Sequence, residues 1–318
     1  MESIGKLSTR VVEHLRDPLV KSAVRVKSSI MGEAGKFLRG KEFVELLPTI
    51  ISPITDPLNH EVHNAKFRYY DQEYRLTQSM IFHKQLACKT FDRIFIVSPN
   101  VRLETSEKAL SGRHLFEFSQ IDLEIRNAKR DDVMTLVEDL ITTLIVEVKS
   151  SCKEELELLS SNPSIPTTPF TKVKFMDAYE QYGKDFETVL SSSFKEPFWL
   201  IDFPIWEREF YDLLSQDGRT LKDMDLILPN GFGETLSGGE REWEYQRIIS
   251  RMEFKGNDPE ELAWYMEIAE AGELVPTAGC GIGVERLTRY ICSLDNVASS
   301  SGGTRTPNRP VNSRMLCH

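Results

Sequence analysis

Apolar positions in the first forty residues (Val11, Val12, Leu15, Leu19, Val20, Val24, Val26 and Ile30) are separated by charges, as in an amphipathic helix. An apolar run broken by prolines follows, from Phe43-Val-Glu-Leu-Leu47-Pro48 to Ile50-Ile51-Ser-Pro53. A proline cannot donate to a sheet ladder, so this stretch reads as an edge strand or an extended arm, with an ordinary helix–loop–strand as the alternative. Residues 66–125 are strand-rich. Arg93-Ile-Phe-Ile-Val97 and the segment Phe116 to Ile125 alternate as half-buried strands do, with a short helix between them from Met80 to Phe91. Val133, Val137, Leu140, Leu144 and Val148 then recur at three- and four-residue spacing and predict a long helix. Prolines and small polar residues make 160–169 a loop.

Further strands are predicted at Phe198–Phe203 and Met224–Leu228. Asp258-Pro259-Glu260-Glu261 supplies an N-cap, a proline at the first helical position and an acidic residue at the third, opening a helix that ends near Gly272. Strands and helices do not alternate regularly, so an α+β fold with an antiparallel sheet is favoured over a doubly wound one. From Ala298 onward there is almost no apolar content, and disorder is expected.

The bulk properties narrow the picture. With 318 residues, 40% hydrophobic and 28% charged, the chain suits one large or two small soluble domains. No apolar run approaches the roughly 20 residues of a membrane helix. The start, Met1-Glu-Ser-Ile-Gly, has no basic segment feeding a hydrophobic one, so a cytoplasmic protein is expected. Cys88, Cys152, Cys280, Cys292 and Cys317 are scattered without metal-ligand spacing and read as reduced thiols. A net charge of -10 weighs slightly against a dedicated nucleic-acid-binding domain.

Candidate chemistry sits in two short stretches far apart in the chain. One is Arg102-Leu-Glu104 followed by Arg113-His114-Leu-Phe-Glu117-Phe118; the other is Gly279-Cys-Gly281-Ile-Gly283-Val-Glu285-Arg286. Each holds an arginine able to clamp a phosphate, and the first adds an aromatic able to stack on a base. The glycine run is not a dinucleotide fingerprint, because Val284 stands where the third glycine belongs, and no GxxxxGK[ST] loop occurs. Alternating glycines before a helix suit a strand over which a ligand lies closely, or else a tight backbone crossing.

Together the two stretches resemble motifs 2 and 3 of the class II aminoacyl-tRNA synthetase catalytic core, in its aspartate/asparagine branch. The resemblance covers roughly residues 35–294 and implies that family's antiparallel sheet flanked by helices. It implies an ATP site of Arg102, Glu104, Arg113, His114, Phe118, Gly281, Gly283 and Arg286. Arg102 would meet the α-phosphate, Arg286 the γ-phosphate, and Phe118 the adenine. Charge building on the α-phosphorus oxygens during attack by a carboxylate is what a guanidinium neutralises. Asp225 and Glu234, flanking the turn Pro229-Asn-Gly-Phe-Gly233, would hold Mg²⁺. Gln78-Ser79 resembles the floor of the amino-acid pocket, which Ser237, Gly238 and two cations, Lys84 and Arg241, would complete. A lysine plus an arginine suits a carboxylate better than a carboxamide, so L-aspartate is the expected substrate. Motif 1 corresponds to the proline-broken segment and implies a homodimer.

Three departures from the family stand out. Met80-Ile81 occupies the place of its Pro-Gln, the loop from Thr105 to Gly112 is longer than usual, and the C-terminal end is polar. The roughly forty residues before motif 1 are too few for the five-stranded barrel that reads an anticodon. The chain is therefore expected to divide into an N-terminal helical segment (1–34), a catalytic domain (35–294) and a disordered tail (295–318). The resemblance is strongest to the archaeal-type asparagine synthetase related to asparaginyl-tRNA synthetase. It implies that ammonia attacks an aspartyl-adenylate to give asparagine, AMP and pyrophosphate, with no tRNA expected. The alternatives are a truncated synthetase, a paralogue aminoacylating a tRNA or a protein, and a non-catalytic regulator.

Overall fold

The computed structural model describes residues 12–63, 65–105 and 112–300. Among the described residues there are thirteen strands: β1 (Val44–Glu45), β2 (Ile51–Ser52), β3 (Val62–His63), β4 (Lys66–Tyr69), β5 (Gln72–Leu76), β6 (Arg93–Val101), β7 (Leu103–Glu104), β8 (Glu117–Arg126), β9 (Thr171–Lys174), β10 (Phe198–Ile201), β11 (Asp223–Leu228), β12 (Gly233–Glu240) and β13 (Thr277–Gly283). The α-helices are α1 (Pro18–Gly40), α2 (Ile81–Ala87), α3 (Arg130–Ser151), α4 (Lys153–Leu158), α5 (Phe175–Tyr182), α6 (Phe186–Ser193), α7 (Tyr245–Lys255), α8 (Ala263–Glu270) and α9 (Val284–Ile291).

Eight strands form the main sheet in the order β1-β6-β8-β13-β12-β11-β10-β9. The six from β6 to β10 pair antiparallel, and the two edge strands, β1 and β9, pair parallel. This is the expected α+β architecture, a class II synthetase-like antiparallel sheet flanked by helices, with parallel edges that the alternation pattern did not distinguish.

Helix α1 starts where Asp17 Oδ1 accepts a hydrogen bond from the Leu19 N–H at 2.8 Å with Pro18 at its first turn. It buries Ala23, Val26, Ile30, Ala34 and Leu38 on one stripe. That stripe, α3 and α9 cover one face of the sheet, where Phe95, Ile121, Leu123, Ala278, Cys280 and Ile282 complete the largest core. The helix therefore runs unbroken through the boundary expected at 34/35, because its apolar stripe belongs to the main core. A second core gathers α2, α7 and α8 around Phe82, Phe210 and Tyr265, and a third sets α5 and α6 against β10.

Local signals held in most places. The proline-rich arm holds the short edge strand β1, an irregular stretch, and then β2, which pairs antiparallel with β5. The Asp258 cap opens a 3-10 turn, Pro259–Leu262, before α8, with Asp258 Oδ1 accepting from the Glu260 N–H at 2.9 Å. The tail expected to be disordered from residue 295 keeps a 3-10 turn, Val297–Ser300, with Val297 and Ser300 buried. Its continuation from 301, like the first eleven residues and 106–111 of the long loop, lies outside the described residues. No helix among the described residues is long and apolar enough to cross a membrane.

Candidate active site

The site lies on the sheet face opposite the main core. Residues of β8 alternate: Ile121 and Leu123 point into the core, whereas Phe118, Gln120, Asp122 and Glu124 share the other face. A polar strand face usually meets water. Here Asp122 and Glu124 are buried, 2% and 0% exposed, because further elements close over them. On the neighbouring strand β13, Gly279, Gly281 and Gly283 oppose Glu124, Asp122 and Gln120. A Cβ at 279 would overlap the Glu124 carboxylate, and one at 281 would lie 2.9 Å from Gln120 Nε2 and 3.1 Å from Asp122 Oδ1. The glycine run thus makes room first for the polar side chains of its neighbour strand.

These strands floor a cavity of about 360 Å³. All eight residues assigned to ATP line it: Arg102, Glu104, Arg113, His114, Phe118, Gly281, Gly283 and Arg286. Ser79, Lys84, Ser237, Gly238 and Arg241 line it too, as does Glu234. Two expected members, Gln78 and Asp225, are not on its wall. Gln78 acts through its backbone, its carbonyl accepting from Arg102 Nε at 3.1 Å. Asp225 is covered by Arg208, with which it is in ion contact.

The side expected to face phosphate is arginine-rich. Arg102 lies with its guanidinium carbon 5.1 Å from the centre of the Phe118 ring. Arg286 Nη1 donates to the Glu234 carbonyl at 3.0 Å and meets Glu234 Oε1 at the same distance. Arg113 Nη2 donates to Glu187 Oε1 on α6 at 2.8 Å. Burial alone would raise the Glu234 carboxyl, but Arg286, Arg208, Arg113 and Arg102 together hold it below its ordinary value. Burial pushes Asp225 the other way, up to about 7, against the pull of Arg208. Glu285 Oε2 accepts from the Ser119 N–H at 2.9 Å, tying the strand that carries Phe118 to the helix that carries Arg286.

On the side expected to hold the amino acid, both cations are already engaged. Lys84 Nζ donates to Asp122 Oδ1 at 3.1 Å and to the Cys280 carbonyl at 3.0 Å, with Glu124 Oε2 at 3.6 Å. Arg241 reaches Glu124 Oε1 (Nε, 3.2 Å), Asp212 Oδ1 (Nη1, 2.8 Å) and the Gly279 carbonyl (Nη2, 3.0 Å). Two cations face three carboxylates, so neither is left over for a substrate carboxylate. An aspartate substrate was expected because a buried cation would go unpaired beside a carboxamide; the fold pairs both cations internally.

Several lining residues went unforeseen: Asp56, His60, Gln120, Asp122, Arg208 and Glu209. Gln120 and Asp122 were legible in principle, lying on the same strand face as Phe118. Arg208 carried no local signal. Its Nε donates to Asp223 Oδ2 at 3.0 Å and its Nη1 to Ser237 Oγ at 3.2 Å. Among the described residues, no group of three or more His, Cys, Asp or Glu could hold a metal ion.

Comparison with known proteins agrees with this geometry and corrects the functional expectation. Residues 4–300 match the family model of class II tRNA synthetases (D, K and N). The chain is 28% identical over 316 residues to the asparagine–tRNA ligase of Thermococcus kodakarensis, covering 93% of this chain and 72% of that one. The asparagine–tRNA ligase of Desulforamulus reducens matches at 28% over 302 residues, 89% of this chain and 68% of that one. The crystal structure of asparaginyl-tRNA synthetase from Pyrococcus horikoshii complexed with asparaginyl-adenylate superposes with a TM-score of 0.85 at 26% identity. It covers 95% of this chain and 72% of that one.

These similarities overturn the expected ammonia-dependent asparagine synthetase and the expectation that tRNA is not a partner. The relatives matched over nine-tenths of the chain are tRNA ligases, and the span of sequence before motif 1 was the wrong evidence for a nucleophile. What the match over residues 4–300 does establish is membership: the chain belongs to the class II tRNA synthetases of the D, K and N group, a family of ligases.

Proposed function

We propose that this chain activates asparagine with ATP, forming asparaginyl-adenylate and pyrophosphate, and passes the asparaginyl group to a tRNA. The observation that carries this reading is the internal pairing of Lys84 and Arg241 with Asp122, Glu124 and Asp212. A floor with no surplus cation disfavours a side-chain carboxylate. The Asp122 carboxylate at the cavity wall offers an acceptor to a carboxamide N–H₂. The asparagine–tRNA ligases among the relatives and the adenylate-bound structural neighbour support the same choice.

In this reading the α-carboxylate of asparagine attacks the α-phosphorus in line, an O–P bond forms, and pyrophosphate leaves. Arg102 stabilises the charge on the α-phosphoryl oxygens and Arg286 receives the γ-phosphate. Phe118 and Arg286 bracket the adenine, and His114 and Arg113 meet the triphosphate. A tRNA hydroxyl then attacks the carbonyl carbon and AMP departs.

Mg²⁺ suits the donor set. Asp225 and Glu234 are two carboxylates close enough to interact, Asp225 held by Arg208 and Glu234 by Arg286, and the Asp225 carboxyl is raised by burial and further by nearby Glu234. Asp225 and Glu234 would supply two hard oxygens, and the ion would neutralise the triphosphate. The catalytic unit is the span expected over 35–294 together with the whole of α1, whose apolar stripe belongs to the main core. A cytoplasmic setting fits the free, buried Cys88, Cys152, Cys280 and Cys292.

The test is charging. With ATP, Mg²⁺ and labelled asparagine, the protein should transfer label to total tRNA, and Arg286→Ala should abolish it. Release of AMP and pyrophosphate with no label on tRNA would show that the acceptor is something else.

A further inference from the structure

The turn that follows α9 reaches back to the loop carrying Arg113 and His114. Val297, buried and on the cavity wall, donates its backbone N–H to the Gly112 carbonyl at 3.1 Å. Gly112 immediately precedes Arg113 and has φ +73°, a left-handed conformation that favours glycine. A Cβ there would lie 3.1 Å from Asn296 Nδ2, so the Asn296 side chain packs closely on the same residue. Asn296 also shapes the turn it opens. Its Oδ1 accepts from the Ala298 N–H at 2.8 Å, and Ser300 Oγ donates to the Val297 carbonyl at 2.8 Å.

These contacts belong to a closed circuit. One helical turn beyond Arg286, Arg289 Nε donates to the Leu294 carbonyl at 3.1 Å and the Asp295 carbonyl at 3.3 Å, while its Nη1 donates to the Phe232 carbonyl at 3.2 Å. A Cβ at Gly233, the residue after Phe232, would overlap the Arg113 guanidinium, which therefore rests on that backbone. From Arg289 the path runs through the turn to Gly112 and Arg113, then through Gly233 and Phe232 back to Arg289. We infer that Asn296 and Val297 are positioning residues for the nucleotide, holding Arg113 and His114 where the phosphates beyond the α-phosphate would lie. The inference deepens the ATP reading above and rests on it. An arginine on a loop loses conformational freedom when it meets a phosphate, and a loop already clasped loses less. Arg102 and Phe118 do not depend on the clasp. Phe118 lies in the β8 ladder, and the Arg102 N–H donates to the Phe116 carbonyl at 2.9 Å.

The test compares ATP with AMP by calorimetry in the presence of Mg²⁺, on the wild type, Val297→Pro and Asn296→Ala. Proline removes the N–H donated to Gly112, at the first position of a helical turn where its ring is tolerated. Asn296→Ala keeps that N–H and removes the side chain packed on Gly112. ATP should weaken about tenfold in Val297→Pro and about threefold in Asn296→Ala, with AMP unchanged in both. AMP is the control because its one phosphate is the one Arg102 is proposed to face. Equal losses for ATP and AMP would make the turn merely structural, and unchanged ATP affinity would show that it does not act on Arg113 and His114; either overturns the assignment. If Val297→Pro does not fold, Asn296→Ala decides between the same outcomes. Adenylate formation with aspartate in place of asparagine would sink the asparagine reading alone, and the ratio of ATP to AMP affinity still decides this one. A wild type that binds neither nucleotide overturns both.

Discussion

The Gln78 carbonyl accepts a hydrogen bond from Arg102 Nε at 3.1 Å, so the residue proposed for the amino-acid floor anchors the arginine proposed to face the phosphate. The bond uses the Nε–H and aims the rest of the guanidinium along the Phe118 ring. The proposed substrate floor and phosphate clamp are therefore linked by a direct bond, and changes in one are expected to reach the other.

Arg102→Ala should lower kcat/KM for adenylate formation about a hundredfold to a thousandfold, the usual cost of losing one donor that serves the transition state. Arg102→Lys should recover little. A lysine is a point charge and cannot keep the Gln78 bond while presenting a fork to phosphate. Steady-state pyrophosphate exchange measures both, and full recovery by lysine would show that charge alone matters.

Asp225→Asn and Glu234→Gln should each raise the Mg²⁺ concentration giving half-maximal exchange by about tenfold or more. Glu234 also meets Arg286, so its variant should raise KM for ATP as well. A Mg²⁺ titration that superposes on the wild type would remove these carboxylates from the metal's surroundings.

The arm from β1 to β2 leaves apolar surface in water: Leu47 is 91% exposed, Ile50 50% and Ile51 49%. Such a patch beside an unpaired strand edge is expected to be covered by a second copy across a two-fold axis. Sedimentation at micromolar concentration should give a dimer, and Leu47→Asp should shift it toward monomer. A wild-type monomer would contradict the prediction.

Stability should carry the signature of Glu209. Burial pushes its carboxyl from an ordinary 4.5 up to about 8; Asp56 and Asp212 add to the push, while Lys255 and Arg208 oppose it. A carboxyl raised on folding contributes stability that is complete below about 4.5 and lost as pH rises through about 8. Each pH unit inside that window costs at most about 1.4 kcal/mol. Urea midpoints at pH 5 and pH 8.5 should therefore fall further for the wild type than for Glu209→Gln. Parallel declines would mean that Glu209 titrates normally.

Periodicity and caps made α1, α3, β6, β8, β10 and β11 legible, because each has an apolar face that must be buried whatever the tertiary context. What it concealed was burial of the other face. Asp122 and Glu124 look solvent-facing in an alternating strand, and only the closing of Lys84 and Arg241 over them reveals a paired interior. That is why two lysine and arginine positions suggested a carboxylate ligand. The arginines and glycines proposed for the phosphate side were marked by their spacing, and they line one cavity. Asp56, Arg208 and Glu209 were not, since they lie in irregular segments where no local pattern marks a side chain that reaches a cavity. β12, with Gly238 and Gly239 in its interior, lacked the branched residues that announce a strand. There a Cβ at 238 would strike Cys280 and one at 239 the backbone of Asp223.

The central claim is that the site makes an adenylate from an amino acid with a neutral amide side chain. ATP–pyrophosphate exchange, run in parallel with asparagine and with aspartate at equal concentrations, addresses it directly. The account predicts asparagine-dependent exchange well above that with aspartate. Exchange driven by aspartate and not by asparagine would contradict it.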